Sequence, residues 1–170
     1  MKVCSTENII TPGLIVIPEN IKKNIKKMIS IAGSSERLWP HVKTHKLTEI
    51  IEFQKEYGIN KFKCATICEA EMLAVTGVEE ILLAIQPTEL NLIHFIKLKI
   101  LYPKIKFSTI VDNFDSLRLM GRLSHKNNIK LSLWLDINNG MNRTGIDNLS
   151  DAITLIKNIN SNKNLIFEGL

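Results

Sequence analysis

The segment Arg37-Leu38-Trp39-Pro40-His41-Val42-Lys43-Thr44-His45-Lys46 gathers two imidazoles, two lysines and a hydroxyl within a few residues. On an extended backbone, side chains alternate, so His41, Lys43 and His45 would share one face and Val42 and Thr44 the other. A lysine turned into a parallel sheet is unfavourable as a charge unless it is paired or used covalently. Desolvation favours its neutral amine, the form that condenses with a carbonyl. A polar surface turn is the competing reading of the same residues. A second reactive stretch is Asp136-Ile137-Asn138-Asn139-Gly140-Met141-Asn142-Arg143-Thr144-Gly145. It holds the fixed charge of Arg143 between two glycines that suit turn conformations. A surface ion pair between Arg143 and Asp147 is the alternative there.

Elements to carry these residues follow from hydrophobic periodicity and from Gly and Pro punctuation. Strands are expected at Leu14–Ile17, Arg37–Thr44, Phe62–Thr66, Glu80–Ile85, Lys106–Val111, Ile129–Ile137 and Leu165–Gly169. Helices are expected at Glu19–Ala32, Leu47–Tyr57, Cys68–Thr76, from Pro87 to Leu101, and at Asn113–Asn127 and Leu149–Ile159. Strands alternating with helices of this length predict βαβ units and a parallel sheet. A doubly wound sheet and a (β/α) barrel both satisfy that pattern. The absence of Gly-x-Gly-x-x-Gly after the first strand favours the barrel. Ligands of such folds bind at the C-terminal strand ends, where both reactive stretches fall. His94 and His125 lie on helices and are expected to face solvent. Glu69 and Glu71 open a helix and read as partners of its positive end.

Composition narrows the class. Of the 170 residues, 45% are hydrophobic and 23% charged, the balance of a globular domain. The formal charge of +5 raises nucleic acid as a partner. The lysines are scattered instead of forming a stripe, and aromatics do not interleave with them, so nucleic acid is set aside. Three cysteines give no disulfide framework, and Cys64 and Cys68 have no second ligand pair at zinc spacing. Cys64 and Cys68 are expected to be core-lining thiols in a reducing compartment. No apolar run is long enough for a bilayer, and no basic n-region with an apolar h-region opens the chain, so no membrane and a cytoplasmic location are expected.

The string Pro40-His41-Val42-Lys43-Thr44-His45-Lys46, preceded by Arg37 and followed by a Glu-Ile-Ile-x-x-Gln helix at Glu49–Gln54, is similar to the signature of the D-threonine aldolase and D-serine dehydratase family. That family shares the alanine racemase-type barrel that binds pyridoxal 5′-phosphate (PLP). Thr11-Pro12-x-Leu14, Cys64-Ala65-Thr66 with Glu69-Ala70-Glu71, and Gly77-Val78 with Ile81–Ala84 resemble it in the same order. So does Gly140-Met141-Asn142-Arg143-Thr144-Gly145. The resemblance implies that Lys43 binds the cofactor aldehyde and acts as a base at the substrate α-carbon. It implies that His41, Thr44 and Arg143 lie in the cofactor site, with Arg143 near its phenolate or a carboxylate. A supporting role for His41 under Lys43 stands beside a catalytic one.

The fold class so implied is α/β, a partial TIM-type barrel truncated after about the sixth strand, with residues 1–170 forming its N-terminal part. Relatives continue into a His-x-Asp-Gly-His-like stretch, later phosphate-binding loops and a C-terminal β domain. In the aldolase and dehydratase branch, that domain's His and Cys bind a divalent metal, and no metal ligand is nominated in this chain. The activity implied is D-threonine aldolase-like lyase cleavage of the Cα–Cβ bond of a β-hydroxy-D-amino acid, with the 170 residues alone expected to be inactive. An amino-acid racemase and a non-catalytic PLP-binding fragment remain open. Relatives often dimerise, and a homodimer is the expectation by analogy.

Overall fold

The computed structural model describes residues 7, 9–13 and 15–170. Over these, helices α1 (Pro18–Ala32) and α2 (Thr48–Glu56) precede a regular alternation of strands and helices. The alternation runs β1 (Lys61–Cys64), α3 (Ile67–Val75), β2 (Glu80–Leu83), α4 (Glu89–Leu101), β3 (Lys106–Val111), α5 (Phe114–Lys126), β4 (Leu131–Leu135), α6 (Leu149–Ser161) and β5 (Leu165–Gly169). Four of the strand-to-helix junctions carry a short polar N-cap. Thr66, Thr88, Asn113 and Asn148 accept the N–H of Glu69, Asn91, Ser116 and Asp151, satisfying donors that the helix leaves open.

All strand pairs are parallel, in the order β1-β2-β3-β4-β5. A doubly wound sheet reverses its order at a switch point, whereas this one winds steadily in one direction. The fold is therefore a partial (β/α) barrel. Its outer face holds Phe62, Ile81, Leu83, Phe107, Val111, Leu131 and Leu133, all buried against the helices. Phe107 meets Phe95 of α4 edge-on at 5.4 Å between ring centroids. The alternate residues carry much of the polarity. Lys61, Glu80 and Lys106 sit in register, with Nζ–Oε distances of 3.5 Å on either side of Glu80, and Lys106 reaches Glu168 at 2.8 Å.

Two expected strands are absent. Leu14 lies outside the described residues, and Ile15–Ile17 form no strand; Ile15 and Val16 are exposed, and among the described residues no strand pairs with them. The Arg37–Thr44 segment is also not a strand. It forms two 3₁₀ turns, Ser35–Arg37 and Val42–Thr44, joined by extended residues of which His41 alone bridges to the sheet, at Lys63. Pro40 has no N–H to offer a ladder, although its carbonyl accepts from Lys63 N–H at 2.9 Å. The thiols also differ from expectation. Cys64 is buried but Cys68 is exposed, because it lies on the outer side of α3, and Cys4 lies outside the described residues. His94 and His125 are both exposed.

Candidate functional site

The site grows from the end of β1. His41 pairs in parallel with Lys63, the penultimate residue of β1, so the turn Val42–Thr44 comes level with that strand's C-terminal end. This is the rim where parallel α/β folds bind ligands. The turn closes when Val42 O accepts from His45 N–H at 3.2 Å and from Lys46 N–H at 2.8 Å. Lys46 takes a left-handed backbone, φ 53°, to do so. His41 Nδ1 accepts the Lys43 N–H at 3.3 Å, and Thr44 Oγ1 donates to His41 O at 3.3 Å. His45 Nδ1 accepts the Leu47 N–H at 3.1 Å.

An imidazole nitrogen that accepts a backbone N–H carries no proton of its own. Both rings are thus held as the neutral Nε2–H form. Burial pushes both histidines below the usual imidazole range; for His41 the Lys43 charge adds to this and Glu69 opposes it. Their ring acceptors are engaged by the turn itself. Lys43 is exposed, and among the described residues its ammonium has no ion pair or hydrogen bond. The expectation of a desolvated lysine on a strand's inner face is therefore corrected. The chain leaves the sheet at His41, and alternation no longer governs where position 43 faces.

Beneath the turn lies Glu69, only 4% exposed. One carboxylate oxygen accepts the Ala65 N–H at 2.8 Å and the other faces Lys46 Nζ at 3.3 Å. Its own N–H is capped by Thr66, so the cap of α3 is Thr66, while the Glu69 carboxylate bonds outside the helix; Glu71 is exposed. Burial lifts the neighbouring Cys64 thiol to about 12, with the Glu69 charge adding to it, so this sulfur is inert as a nucleophile.

Arg143 stands on the far side, in the loop after β4. That loop is pinned by the Ile137–Ile146 bridge and by Asp112, whose carboxylate accepts the Gly145 N–H at 3.0 Å. Gly140 and Gly145 take φ of 104° and 96°, as the sequence led one to expect. Asp147 bonds to Asn138, not to Arg143, which is exposed and without an ion pair among the described residues. No hydrogen bond joins Arg143 to the lysine turn. Beside Arg143, on the face of the sheet away from the helices, lies a cleft of about 420 Å³ whose lining includes Lys63, Leu82, Ile110, Trp134, Asp136 and Arg143 but no residue of the Pro40–Lys46 turn. That volume is within the ~300–1,000 Å³ usual for small-molecule sites. The Trp134 Nε1–H is buried without a partner, its ring edge-on to Trp39 at 6.2 Å.

Lys63, Trp134 and the inward carboxylate of Glu69 were not singled out from sequence. The signal for Lys63 was present: Lys61-Phe62-Lys63-Cys64 alternates charged and apolar, which sends both lysines to the face away from the helices.

Comparison with known proteins agrees with this architecture. The D-serine dehydratase of Dictyostelium discoideum is 28% identical over a 179-position alignment that covers 96% of this chain and 44% of that protein. The 3-hydroxy-D-aspartate aldolase of Paracoccus denitrificans is 24% identical, covering 94% of this chain and 42% of that protein. The crystal structure of D-threonine aldolase from Filomicrobium marinum superposes with a TM-score of 0.84 at 26% identity, over 94% of this chain and 43% of that one. The chain spans less than half the length of these relatives. The family model described as alanine racemase, N-terminal domain, matches residues 16–170, and the chain belongs to that family.

Proposed function

We propose that residues 1–170 supply the N-terminal part of the barrel of a PLP-dependent D-amino-acid lyase of the D-threonine aldolase type. The observation that carries this reading is the location of the Pro40–Lys46 segment at the C-terminal rim of a parallel sheet, with the Lys43 amine unpaired. The donor set fits PLP, an anionic aromatic aldehyde. It offers an exposed, unpaired amino group at Lys43 on the rim, and a cleft beside it lined by the cations Lys63 and Arg143 and by the ring of Trp134. When bound, PLP supplies an electron sink for bonds at a substrate's α-carbon.

The chain's own residues divide the remaining work. Lys43 holds the aldehyde carbon and moves a proton at the α-carbon. Arg143 sets a fixed positive charge opposite the phenolate or a substrate carboxylate. His41 and Thr44 contribute by holding the lysine turn against the cofactor. No metal ligand is proposed here: among the described residues, no three His, Cys, Asp or Glu side chains converge. Beyond the small amino acid, the partner proposed is a second copy of the chain.

The relatives' names share a D-amino acid with a polar β-substituent, which supports a substrate of that class. The family match also keeps a racemase in view; that reaction needs a second acid or base on the opposite face of the cofactor. The two readings part in a binding experiment. The PLP-loaded chain should change its visible absorption on addition of D-threonine or D-serine, and not with L-threonine. Equal responses to both hands of alanine would favour the racemase, and no response to any amino acid would leave a PLP-binding fragment. Turnover by the 170 residues alone is expected to be small on any of these readings.

A further inference from the structure

We infer that Glu69 is a positioning residue for Lys43 and acts through the ammonium of Lys46. The inference rests on the reading of Lys43 as the aldehyde-binding lysine. Both backbone polar groups of Lys43 are held by side chains. Its N–H donates to His41 Nδ1 at 3.3 Å, and its carbonyl accepts from Lys46 Nζ at 2.7 Å. A 3₁₀ turn would ordinarily satisfy that carbonyl with the Lys46 N–H, but here the N–H goes to Val42 O instead. The peptide after Lys43 is therefore oriented by one ammonium. That ammonium also lies 3.3 Å from Glu69 Oε1.

Glu69 does not cap α3. In a capping box the glutamate reaches back to the N–H of the cap residue itself, which would be Thr66. Here Oε2 takes the N–H of Ala65, one residue earlier, and Oε1 is left facing Lys46. The carboxylate is 4% exposed while the Lys46 side chain is 60% exposed, so the anchor is the buried partner and the lysine the mobile one. A buried carboxylate has to keep a cation or hydrogen bonds close, which makes the end of the tie at Glu69 firm. Lys46 meanwhile keeps a left-handed backbone that a non-glycine residue adopts only at a penalty. The result is a strut from the start of α3, through Lys46, to the main chain of Lys43.

Two variants separate this strut from ordinary structural support. Glycine adopts φ near 53° freely, so Lys46→Gly relieves the backbone penalty while removing the ammonium. If Lys46 serves only to complete the turn, this variant should bind PLP as well as the parent. The strut predicts that Lys46→Gly and Glu69→Gln each raise the PLP concentration for half-saturation roughly tenfold, as loss of a charge-assisted hydrogen bond does. Lys46→Arg should stay within about twofold, and the double variant should be no worse than Lys46→Gly alone, because coupled groups are not additive.

Amide hydrogen exchange of His45, whose N–H bonds to Val42 O within the turn, should be faster without PLP in both single variants than in the parent. Parent-like PLP binding by Lys46→Gly would overturn the strut. Failure of the parent itself to take up PLP, or uptake by Lys43→Ala equal to the parent's, would defeat the cofactor reading instead. The exchange measurement would then decide the strut by itself: faster exchange in both variants supports it, and unchanged exchange overturns it.

Discussion

Lys43→Ala is expected to remove the visible absorption of the PLP-reconstituted chain and to weaken PLP uptake by on the order of 10²-fold or more. A single charge-assisted hydrogen bond is worth about 1.5–3 kcal/mol, and tenfold in affinity corresponds to roughly 1.4 kcal/mol. A covalent link to the aldehyde should exceed the upper end of that range. The fold itself should be unaffected, because Lys43 is exposed and no side-chain contact of it holds the turn together. Lys63→Ala is the matching control. Lys63 lines the cleft and is the next cation along the rim, so its loss should weaken binding of an anion while leaving the absorption band in place. Absorbance titration with PLP checks both. Equal uptake by Lys43→Ala and the parent would remove the basis for the site.

The second large effect lies in the loop that carries Arg143. A β-carbon at Gly145 would fall 2.5 Å from Asn138 N and Ile137 C, both backbone atoms that cannot rotate away, and the residue has φ of 96°. Left-handed backbone on an alanine costs about 1–2 kcal/mol, and overpacking a further ~1–3 kcal/mol. Gly145→Ala should therefore destabilise the chain by roughly 3 kcal/mol, a large share of the ~5–15 kcal/mol that holds a domain folded. Gly77 is the comparison: its φ is 68°, but nothing lies within 4 Å of the added carbon. Gly77→Ala should cost only the backbone part, about 1–2 kcal/mol. Denaturant unfolding of the two variants separates clash from strain. A similar loss at both glycines would mean that the 136–147 loop yields to the extra carbon and does not hold Arg143 rigidly.

Most of the barrel was legible because its signals are local. Strand β3 and the alternation from β1 onward follow from short β-branched runs, and the helices expected near Cys68, Pro87, Asn113 and Leu149 start within a few residues of those positions. The misreadings fall where a strand needs a partner that periodicity cannot reveal. Ile15–Ile17 has the composition of a strand and, among the described residues, no strand to pair with. Arg37–Thr44 was read by period 2, yet Pro40 limits its ladder and His41 caps a turn with its own ring. That misreading also produced the expectation of an inward, desolvated Lys43.

The part of the site that sequence did not expose is the part built across elements. Glu69 and Lys46 are 23 positions apart, and only the fold brings the start of α3 beneath the lysine turn. Trp134 reads as an apolar core residue in Leu131-Ser132-Leu133-Trp134-Leu135, yet its ring lines the cleft and its buried N–H has no partner among the described residues. The Arg143 loop was recognisable by its glycines, but its anchor, Asp112 at the end of β3, lies 33 residues upstream of Gly145 and has no local signature.

The most direct test is chemical. Reduction of the PLP-loaded chain with borohydride fixes the cofactor to whichever amine has condensed with its aldehyde, and peptide mapping then finds the modified residue. The account predicts a single major adduct, on Lys43, in the peptide spanning Pro40 to Lys46. A major adduct on Lys63 or any other lysine, with Lys43 unmodified, would contradict it.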